Sequence, residues 1–325
     1  MTTPRKTVAV LGASGFVGSH TCYALESRGH TVVRIRAPRL APMTASDAAT
    51  FPDRAGQALD DLASSLQHVD ALVNAAGVAE ARSGNWPALV SANSALPALA
   101  ARAAAVAGLT RFVQVSSAAV QGRLRRLDEG SQFDAFSPYA RSKLLGEHLV
   151  RQEGPAQTVI YRPPGVHGAD RRVTRLTARI ARSAVSTVAA PGTDPTPQTL
   201  IDNVADALAY LATTASVPAS IVMHPSELLT TTTLLEALGG KRPIRIPRRI
   251  ARTVVRGLNS ASRLSPSLAG NARRVEMLWF GQEQAHSWLT AAGWLPPVGH
   301  EGWRALGRKL AQLDTGKELK ETGSQ

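Results

Sequence analysis

The sequence predicts an α/β protein: a Rossmann-like, doubly wound parallel sheet with a smaller, mostly helical C-terminal substrate lobe. Two observations carry this prediction. The first half of the 325-residue chain alternates short β-branched apolar runs with longer segments rich in Ala and Leu. A glycine-rich turn, Gly12–Gly18, separates the first apolar run from the first longer segment. Strands that alternate with helices form βαβ units, which build a parallel sheet.

Each element of the first half has its own signal. The predicted strands are Thr7–Leu11, Thr31–Ile35, Ala71–Asn74, Arg111–Ser116 and Thr158–Arg162. The predicted helices are Phe16–Arg28, Ala88–Val106 and Pro138–Gln152. Gly29 and Gly108 end the first two helices, as glycine commonly does. No strand is predicted in 37–57, which is rich in Ala, Pro and Asp.

The alternation of strand and helix patterns gives way to a different composition after Pro163. The loop Pro191–Pro197 and an Asp-led helix, Leu200–Thr213, lead into a basic region punctuated by proline. We therefore expect a dinucleotide-binding domain that carries the reactive side chains, an interleaved substrate-binding lobe and a polar tail. Their expected ranges are 1–165, 166–316 and 317–325, with 200–215 returning to the first domain.

Composition restricts the class of protein. Hydrophobic residues make up 44% of the chain, which is enough for a core. No uninterrupted apolar window approaches about 18 residues, so no transmembrane segment is expected. The N-terminus lacks signal-peptide architecture. Cys22 is the single cysteine, which excludes an internal disulfide and a cysteine-based metal site. We expect a soluble, cytoplasmic, globular protein without a metal.

The formal charge of +13 is uneven along the chain. The stretch Lys241–Val275 holds ten basic residues and no acid. It lacks the interleaved aromatic residues that stack on bases, so no specific nucleic-acid partner is predicted. Three interpretations stay open: a solvated arginine-rich surface, a site for an anionic small molecule, and peripheral membrane contact through the amphipathic stretch 244–258.

The glycine-rich turn predicts dinucleotide binding. Glycines at this place let the backbone turn tightly and approach a pyrophosphate, which the N-terminus of the following helix attracts. The strand, turn and helix context makes the motif specific. The residues expected to bind the cofactor here are Gly12, Ser14, Gly15, Phe16, Val17 and Gly18.

Arg36 follows the second strand, 24 residues after Gly12. Folds that prefer NAD usually place a carboxylate near this point for the ribose 2′-hydroxyl, whereas a basic residue can pair with a 2′-phosphate. Arg34 and Arg39 flank Arg36, and no acid lies nearby. NADP(H) is therefore favoured and NAD(H) is the alternative. The simpler interpretation is a group of exposed arginines after a strand.

Tyr139 and Lys143 lie four residues apart on a predicted helix and therefore share a face. A nearby cation stabilises tyrosinate and brings a phenol closer to acid/base chemistry. The pair alone is a common pattern. Ser116 and Ser117, however, end a strand upstream, where a hydroxyl could bind a substrate carbonyl while Tyr139 exchanges its proton.

Ordered motifs along the chain show a family resemblance. They are GASGFVG, VNAAG, Asn93, VSSAAVQG, SPYARSK, RPPGVHG and IDNVADAL, with a weaker echo in AAGWLPPVGHEGW. Together they resemble the extended short-chain dehydrogenase/reductase superfamily, in its NAD-dependent epimerase/dehydratase branch, which acts largely on nucleotide sugars. The resemblance covers residues 7 to about 210.

The resemblance implies specific roles. Tyr139 would be the acid/base, Lys143 would hold the nicotinamide ribose, and Ser117 rather than Ser116 would carry the reactive hydroxyl. Asn93 would order the site or merely pack between helices, and His167 would be structural. Further cofactor contacts would come from Ala75, Ala76, Gly77, Pro163 and Val166. A homodimer through the second and third predicted helices is the family's common arrangement.

Departures from the family narrow the chemistry. Ala118 and Ala119 replace the Asp-Glu pair of sugar 4,6-dehydratases, which excludes that elimination. Gln121 replaces a common aromatic residue, and Arg36 replaces the acid typical of epimerases that retain NAD. We therefore expect an NADPH-dependent ketoreductase of a nucleotide-activated keto-sugar.

The diphosphate of such a substrate could be bound by arginines that recur at roughly helical spacing. They are Arg171, Arg172, Arg175, Arg179 and Arg182.

Three other functions stay open. One is a nucleotide-sugar 4-epimerase with bound NAD. Another is a reductase of a non-sugar ketone, such as a steroid-like or flavonoid-like substrate. A third is a non-catalytic dinucleotide sensor, against which the intact set of Ser117, Tyr139 and Lys143 argues.

Overall fold

The computed structural model describes residues 4–79, 85–261 and 266–322. The chain divides into two compact units, each assembled from separate stretches. The first unit comprises Met1–Pro164, Asp202–Pro225 and Ala285–Pro296. The second comprises Gly165–Ile201, Ser226–Gln284 and Pro297–Gln325. Neither unit is a continuous piece of the sequence.

The first unit is built on strands and helices that alternate along the chain. Its strands are β1 (Thr7–Leu11), β2 (Thr31–Ile35), β3 (Ala71–Asn74), β4 (Arg111–Val115), β5 (Arg126–Leu127), β6 (Gln157–Arg162) and, after the excursion into the second unit, β10 (Ile221–Met223). Its helices are α1 (Phe16–Ser27), α2 (Ala45–Arg54), α3 (Gln57–Ser64), α4 (Trp86–Val90), α5 (Leu96–Val106), α6 (Pro138–Glu153), α8 (Ile201–Thr213) and α12 (Trp288–Ala291). A π-helical turn, Ser91–Ala95, joins α4 to α5, and a 3-10 turn, Ala118–Gln121, follows β4.

Six of these strands form one parallel sheet in the order β10-β6-β4-β3-β1-β2. The order reverses between β1 and β3, as in doubly wound folds, where ligands bind at the carboxyl ends of the strands beside such a reversal. The predicted fold class is confirmed. Segment 37–57 contains no strand: Thr44 caps α2 by accepting the Asp47 backbone N–H, and this helix occupies the connection instead.

Alanine-rich helix α5 packs into the largest apolar cluster of the first unit. Its small side chains allow close approach to neighbouring elements, and Leu99 and Ala100 are fully buried there with Phe112 of β4. The run Trp86–Val106 has the length and apolar composition of a membrane-crossing helix, yet 78% of its most apolar window is buried inside the fold. That burial is typical of a core helix.

The second unit is mostly helical. Its helices are α7 (Arg172–Arg182), α9 (Thr231–Gly239), α10 (Arg248–Ala261), α11 (Pro266–Phe280) and α13 (His300–Thr322). Its strands are β7 (Gly165–His167), β8 (Thr187–Ala189), β9 (Gln198–Leu200), β11 (Ile244–Ile246) and β12 (Glu283–Gln284). Strands β7 and β9 pair in parallel, as do β8 and β11. Buried Leu234, Leu238 and Trp303 form part of its apolar core. Of the predicted polar tail, 317–322 belongs to α13, and 323–325 lies outside the described residues.

Candidate active site

The glycine-rich turn joins β1 to α1 with a geometry that only glycine tolerates. Gly12 has a φ of +82°, in the left-handed region, and its N–H donates to the Ile35 carbonyl at 3.1 Å. A Cβ at Gly12 would lie 2.8 Å from the backbone nitrogen of Ala76. A Cβ at Gly18 would lie 2.2 Å from the Gly12 carbonyl oxygen. The turn, the start of α1 and the segment after β3 therefore approach one another backbone to backbone.

The N-terminus of α1 suits an anionic ligand. Gly15 occupies the N-cap position without a side-chain cap, and no acidic residue lies in the first turn. Backbone N–H groups at such a terminus, together with the helix dipole, bind phosphate groups. These features fit the pyrophosphate of a dinucleotide, which the predicted residues Ser14 to Gly18 would hold.

The arginines after β2 differ in their partners. Arg34 pairs with Glu26 at 2.8 Å. Arg36 and Arg39 are exposed, and within the described parts of the chain neither has an ion pair. Arg36 is therefore the nearest cation to the end of β2 that is not already neutralised by a carboxylate.

The segment after β3 is held by two buried amides. Asn74 accepts the Ala76 backbone N–H at 3.0 Å. Asn93, in the π-helical turn, accepts the Val78 N–H at 3.0 Å and donates to the Val78 carbonyl at 3.1 Å. Asn93 also donates to the Ser142 hydroxyl on α6 at 3.1 Å. Asn93 therefore ties the backbone beside Gly77 to the helix that carries Tyr139 and Lys143.

Helix α6 presents Lys143 inside the protein. Its ammonium group is buried and donates to the Val115 carbonyl at the end of β4, at 3.2 Å. A Cβ at Gly77 would lie 3.2 Å from the same nitrogen. Burial lowers the pKa of Lys143 to about 8, although the nearby Glu147 carboxylate opposes this shift. Tyr139 lies one turn earlier on α6 and is half-buried.

The two serines after β4 have different partners. The buried Ser116 hydroxyl donates to Glu147. Ser117 is half-buried, and its oxygen accepts the Ala119 N–H at 3.2 Å, which caps the 3-10 turn. A hydroxyl that accepts in this way keeps its own proton for donation. The geometry therefore favours Ser117 over Ser116 for binding a substrate oxygen.

Glu147 and Arg162 support this arrangement, and the sequence interpretation missed both. The Arg162 guanidinium binds Glu147 through two hydrogen bonds, and both side chains are buried. Two signals could have identified them: Glu147 follows Lys143 by four residues on the same helix, and Arg162 is a charged residue that ends an apolar strand.

Gln121 is occupied within its own loop. Its side chain is fully buried, donates to the Asp128 carboxylate at 2.8 Å and accepts the Asp128 N–H at 2.9 Å. Ala118 donates its N–H to the Pro163 carbonyl at 2.9 Å, so Pro163 lies beside the end of β4. Gln121 thus organises the loop after the 3-10 turn, where the resemblance implies an aromatic contact to sugar.

Val166 and His167 lie in the second unit. Val166 is buried in β7, and its carbonyl accepts from Arg171 at 3.0 Å. His167 is buried against the Trp303 ring and bonds Gln198 at 2.9 Å, and burial lowers its pKa to about 4. His167 is therefore a neutral packing residue.

The arginines of α7 do not act as one set. Arg179 and Arg182 both pair with Asp314, whereas Arg172 and Arg175 are exposed and have no ion pair with any described residue. Within the described residues, no group of three or more His, Cys, Asp or Glu side chains is placed to hold a metal.

A doubly wound sheet, a glycine turn at its reversal and a buried lysine beside β4 define a Rossmann-type enzyme that uses a nicotinamide dinucleotide. The chain belongs to the NAD dependent epimerase/dehydratase family, whose profile matches residues 8–223. The family and its structural relatives are NAD(P)-dependent epimerases and reductases. The predicted family, fold class and enzymatic nature are confirmed.

Individual relatives differ in the reaction that they are named for. A ceramide reductase of Caulobacter vibrioides (strain NA1000 / CB15N) is 29% identical over 332 residues, which cover 91% of this chain and 98% of that protein. The Bacillus cereus UDP-glucuronic acid 4-epimerase in complex with NAD has a TM-score of 0.64 at 21% identity, covering 94% and 99% of the two chains. A human epimerase family protein with NADPH has a TM-score of 0.66 at 21% identity, covering 93% and 99%. The last two similarities establish the fold.

Proposed function

We propose that this protein is an NADPH-dependent ketoreductase that converts a ketone to a secondary alcohol with Ser117, Tyr139 and Lys143. One observation carries the proposal. The buried Lys143 ammonium bonds the end of β4, two residues before Ser117, and Tyr139 lies one turn away on the same helix. This arrangement supports the proposal that the Ser117 hydroxyl, the Tyr139 phenol and the Lys143 cation act on one substrate.

Each of these groups has a separate role in the proposed reaction. The cofactor, when bound, supplies a hydride to the carbonyl carbon. Ser117 donates a hydrogen bond to the carbonyl oxygen and orients it. Tyr139 donates its phenolic proton to that oxygen as the charge develops, which leaves a secondary alcohol and tyrosinate. Lys143 stabilises the tyrosinate, because a nearby cation favours the charged form of a phenol. Solvent then reprotonates Tyr139.

Two features favour a reductase over the family's other reactions. Ala118 and Ala119 offer no acid or base for a sugar elimination. Exposed Arg36, free of an ion pair among the described residues, suits a 2′-phosphate and therefore NADPH. A reductase exchanges its cofactor in every turnover, whereas an epimerase must keep it through oxidation and re-reduction. NAD(H) remains the alternative cofactor.

For the substrate we favour a lipid-like, non-sugar ketone. The ceramide reductase aligns over nearly its whole length at an identity above that of the sugar-binding structural relatives. Gln121 is buried in its own loop, and two of the four α7 arginines pair with Asp314. These features weaken the expectation of a nucleotide sugar that the sequence raised.

A nucleotide-activated keto-sugar is the second candidate. Two α7 arginines, Arg172 and Arg175, are exposed and have no ion pair within the described chain. The structural relatives in complex with UDP-glucuronic acid and UDP-glucose share this fold. The related 4-epimerase reaction would show itself by NAD retained through purification.

The test is NADPH oxidation with two substrates: a ceramide in which one hydroxyl is oxidised to a ketone, and a nucleotide-linked 4-keto-sugar. We expect turnover with the first. Tyr139→Phe should lower kcat by about a hundredfold or more while cofactor binding is spared. Turnover with the keto-sugar alone would move the second candidate to first place. A fully active Tyr139→Phe protein would refute the mechanism.

We also propose a homodimer and a cytoplasmic location, as the family resemblance and the composition suggest. Sedimentation velocity of the purified protein would measure the first. Fractionation of cells that produce it would measure the second.

A further inference from the structure

Helix α10 leaves an apolar stripe uncovered. Ala251 and Val255 are buried, so they form the face that packs onto the second unit. Ile250, Val254 and Leu258 recur every four residues on the adjoining face, with 56%, 42% and 37% of their surfaces exposed. Isolated exposed apolar residues are common, but three successive ones along one helix form a continuous stripe.

The opposite side of α10 is cationic. Arg249, Arg252 and Arg256 are exposed, and no ion pair joins them to any described residue. At 100° per residue, these three fall within one sector of the helix, and each lies about 140° to 160° from the middle of the apolar stripe. The helix therefore carries an apolar edge and an arginine edge, which is the pattern of helices that lie in a membrane interface.

Residues next to α10 enlarge both its exposed apolar surface and its positive charge. Ile244 of strand β11 is 60% exposed, and its N–H donates to the Ser186 carbonyl beside exposed Val185. Lys241, Arg242 and Arg245 precede α10 without an intervening acid. Arg242 has a carboxylate partner, Glu236, at 3.6 Å, and that pair is largely exposed.

We propose that α10 and strand β11 form a docking surface for an anionic phospholipid membrane. Ile250, Val254 and Leu258 would enter the boundary between headgroups and acyl chains, and the arginine edge would attract anionic headgroups. The charge selects this partner, because Lys and Arg side chains near an anionic membrane surface are attracted to its headgroups. The proposal goes beyond the reaction proposed above and does not depend on it, since membrane binding is measured without substrate or cofactor.

Arg248 has a different role and is not a useful test of this surface. Its guanidinium pairs with Asp194 at 2.7 Å and lies over the Phe280 ring, with its carbon 5.1 Å from the centroid. Replacing Arg248 would disturb the packing of the second unit as well as the surface charge. The charge test therefore uses Arg252 and Arg256.

The experiment is co-sedimentation of the full chain with vesicles of phosphatidylcholine alone or mixed with phosphatidylglycerol. We expect binding to the mixed vesicles only. The double variant Arg252→Glu/Arg256→Glu should lose at least about tenfold in vesicle affinity. The matched control Arg151→Glu/Lys309→Glu makes the same change in net charge at exposed positions elsewhere and should bind like the wild type.

A second variant tests the apolar stripe. Ile250→Ser/Val254→Ser/Leu258→Ser removes apolar groups that are already exposed, so folding should be retained, as circular dichroism and the melting temperature would report. Vesicle affinity should fall by at least about tenfold, because the apolar area that would enter the membrane is removed.

Three results would overturn the proposal. One is equal binding to both kinds of vesicle. Another is equal loss of affinity in the α10 charge variant and in its control, which would show a general charge effect. The third is retention of the protein by duplex DNA without binding to either vesicle. Unchanged binding of the serine variant would overturn insertion of the stripe.

Discussion

Arg162 and Glu147 form a two-point ion pair in which neither side chain is exposed. Nε of Arg162 donates to one carboxylate oxygen of Glu147 at 2.9 Å, and Nη2 donates to the other at 2.7 Å. The pair joins the end of β6 to α6, and Glu147 also accepts from Ser116. The end of β4, which leads into Ser117, is thereby fixed against the helix that carries Tyr139.

We expect Arg162→Met to destabilise the fold by about 3–5 kcal/mol, because the substitution leaves a buried carboxylate without its partner. Urea unfolding followed by circular dichroism would measure the loss. Arg34→Met is the matched control, since Arg34 pairs with Glu26 at an exposed site and should contribute about 1 kcal/mol or less. Equal effects of the two substitutions would contradict this role for the buried pair.

The neighbouring serines should separate turnover from stability. Ser117→Ala should lower kcat, because the substrate oxygen loses a hydrogen-bond donor. Ser116→Ala should leave kcat nearly unchanged and lower the free energy of unfolding by about 1 kcal/mol, because Glu147 loses one of its partners. Steady-state kinetics and urea unfolding of both variants check this assignment. A larger loss of kcat in Ser116→Ala would reverse it.

Lys143 should make stability depend on pH. Burial lowers the pKa of Lys143 from 10.5 to about 8. Between these values the unfolded chain holds a proton that the folded protein has lost, so the free energy of unfolding rises with pH across this window. The cost of burying the charged form is fully present below pH 8, at about 3 kcal/mol, and is relieved towards pH 10.5.

The measurement is urea unfolding of the wild type and of Lys143→Met at several pH values. The stability of the wild type relative to that variant should increase from pH 8 to 10.5. Lys309→Met, at an exposed position of α13, serves as the control and should show no such trend. The assignment would be contradicted if the stability of the wild type relative to Lys143→Met stayed constant or decreased from pH 8 to 10.5.

Arg36→Ala should weaken NADPH binding by about tenfold to a hundredfold, because a charged group loses its partner at the 2′-phosphate. NADH binding should change little, since NADH has no phosphate there. Fluorescence titration with both cofactors measures the two dissociation constants. Arg34→Ala, which removes a guanidinium already paired with Glu26, is the control. Parallel weakening of NADH and NADPH binding by Arg36→Ala would refute the preference for NADPH.

Much of the fold followed from local patterns in the sequence. Alternation of apolar runs and helices predicted the parallel sheet, and β1, β2 and β3 were predicted with the bounds that the structure has. The helix α2 was missed because its sequence, ASDAATFPDR, carries a proline and few large apolar residues. Strand β10 was missed because it has only three residues, Ile221–Met223.

The roles assigned to Ser117, Tyr139 and Lys143 came from motif spacing and resemblance, and they stay predictions until the variants are measured. Spacing could not reveal that Ser116 is bound by Glu147, because their contact joins residues 31 positions apart. It also could not show that Arg34 is neutralised and Arg36 is not. Both distinctions depend on side chains from different elements.

The sequence by itself determined the order of strands and helices, the glycine turn and the helical pairing of Tyr139 with Lys143, because these depend on backbone preferences and on periods of two to four residues. Tertiary structure alone decided that Ala285–Pro296 joins the first unit, that Asn93 holds the backbone of Val78, and that Lys143 is buried. The physical reason is that burial and long-range hydrogen bonds arise only when distant segments pack together.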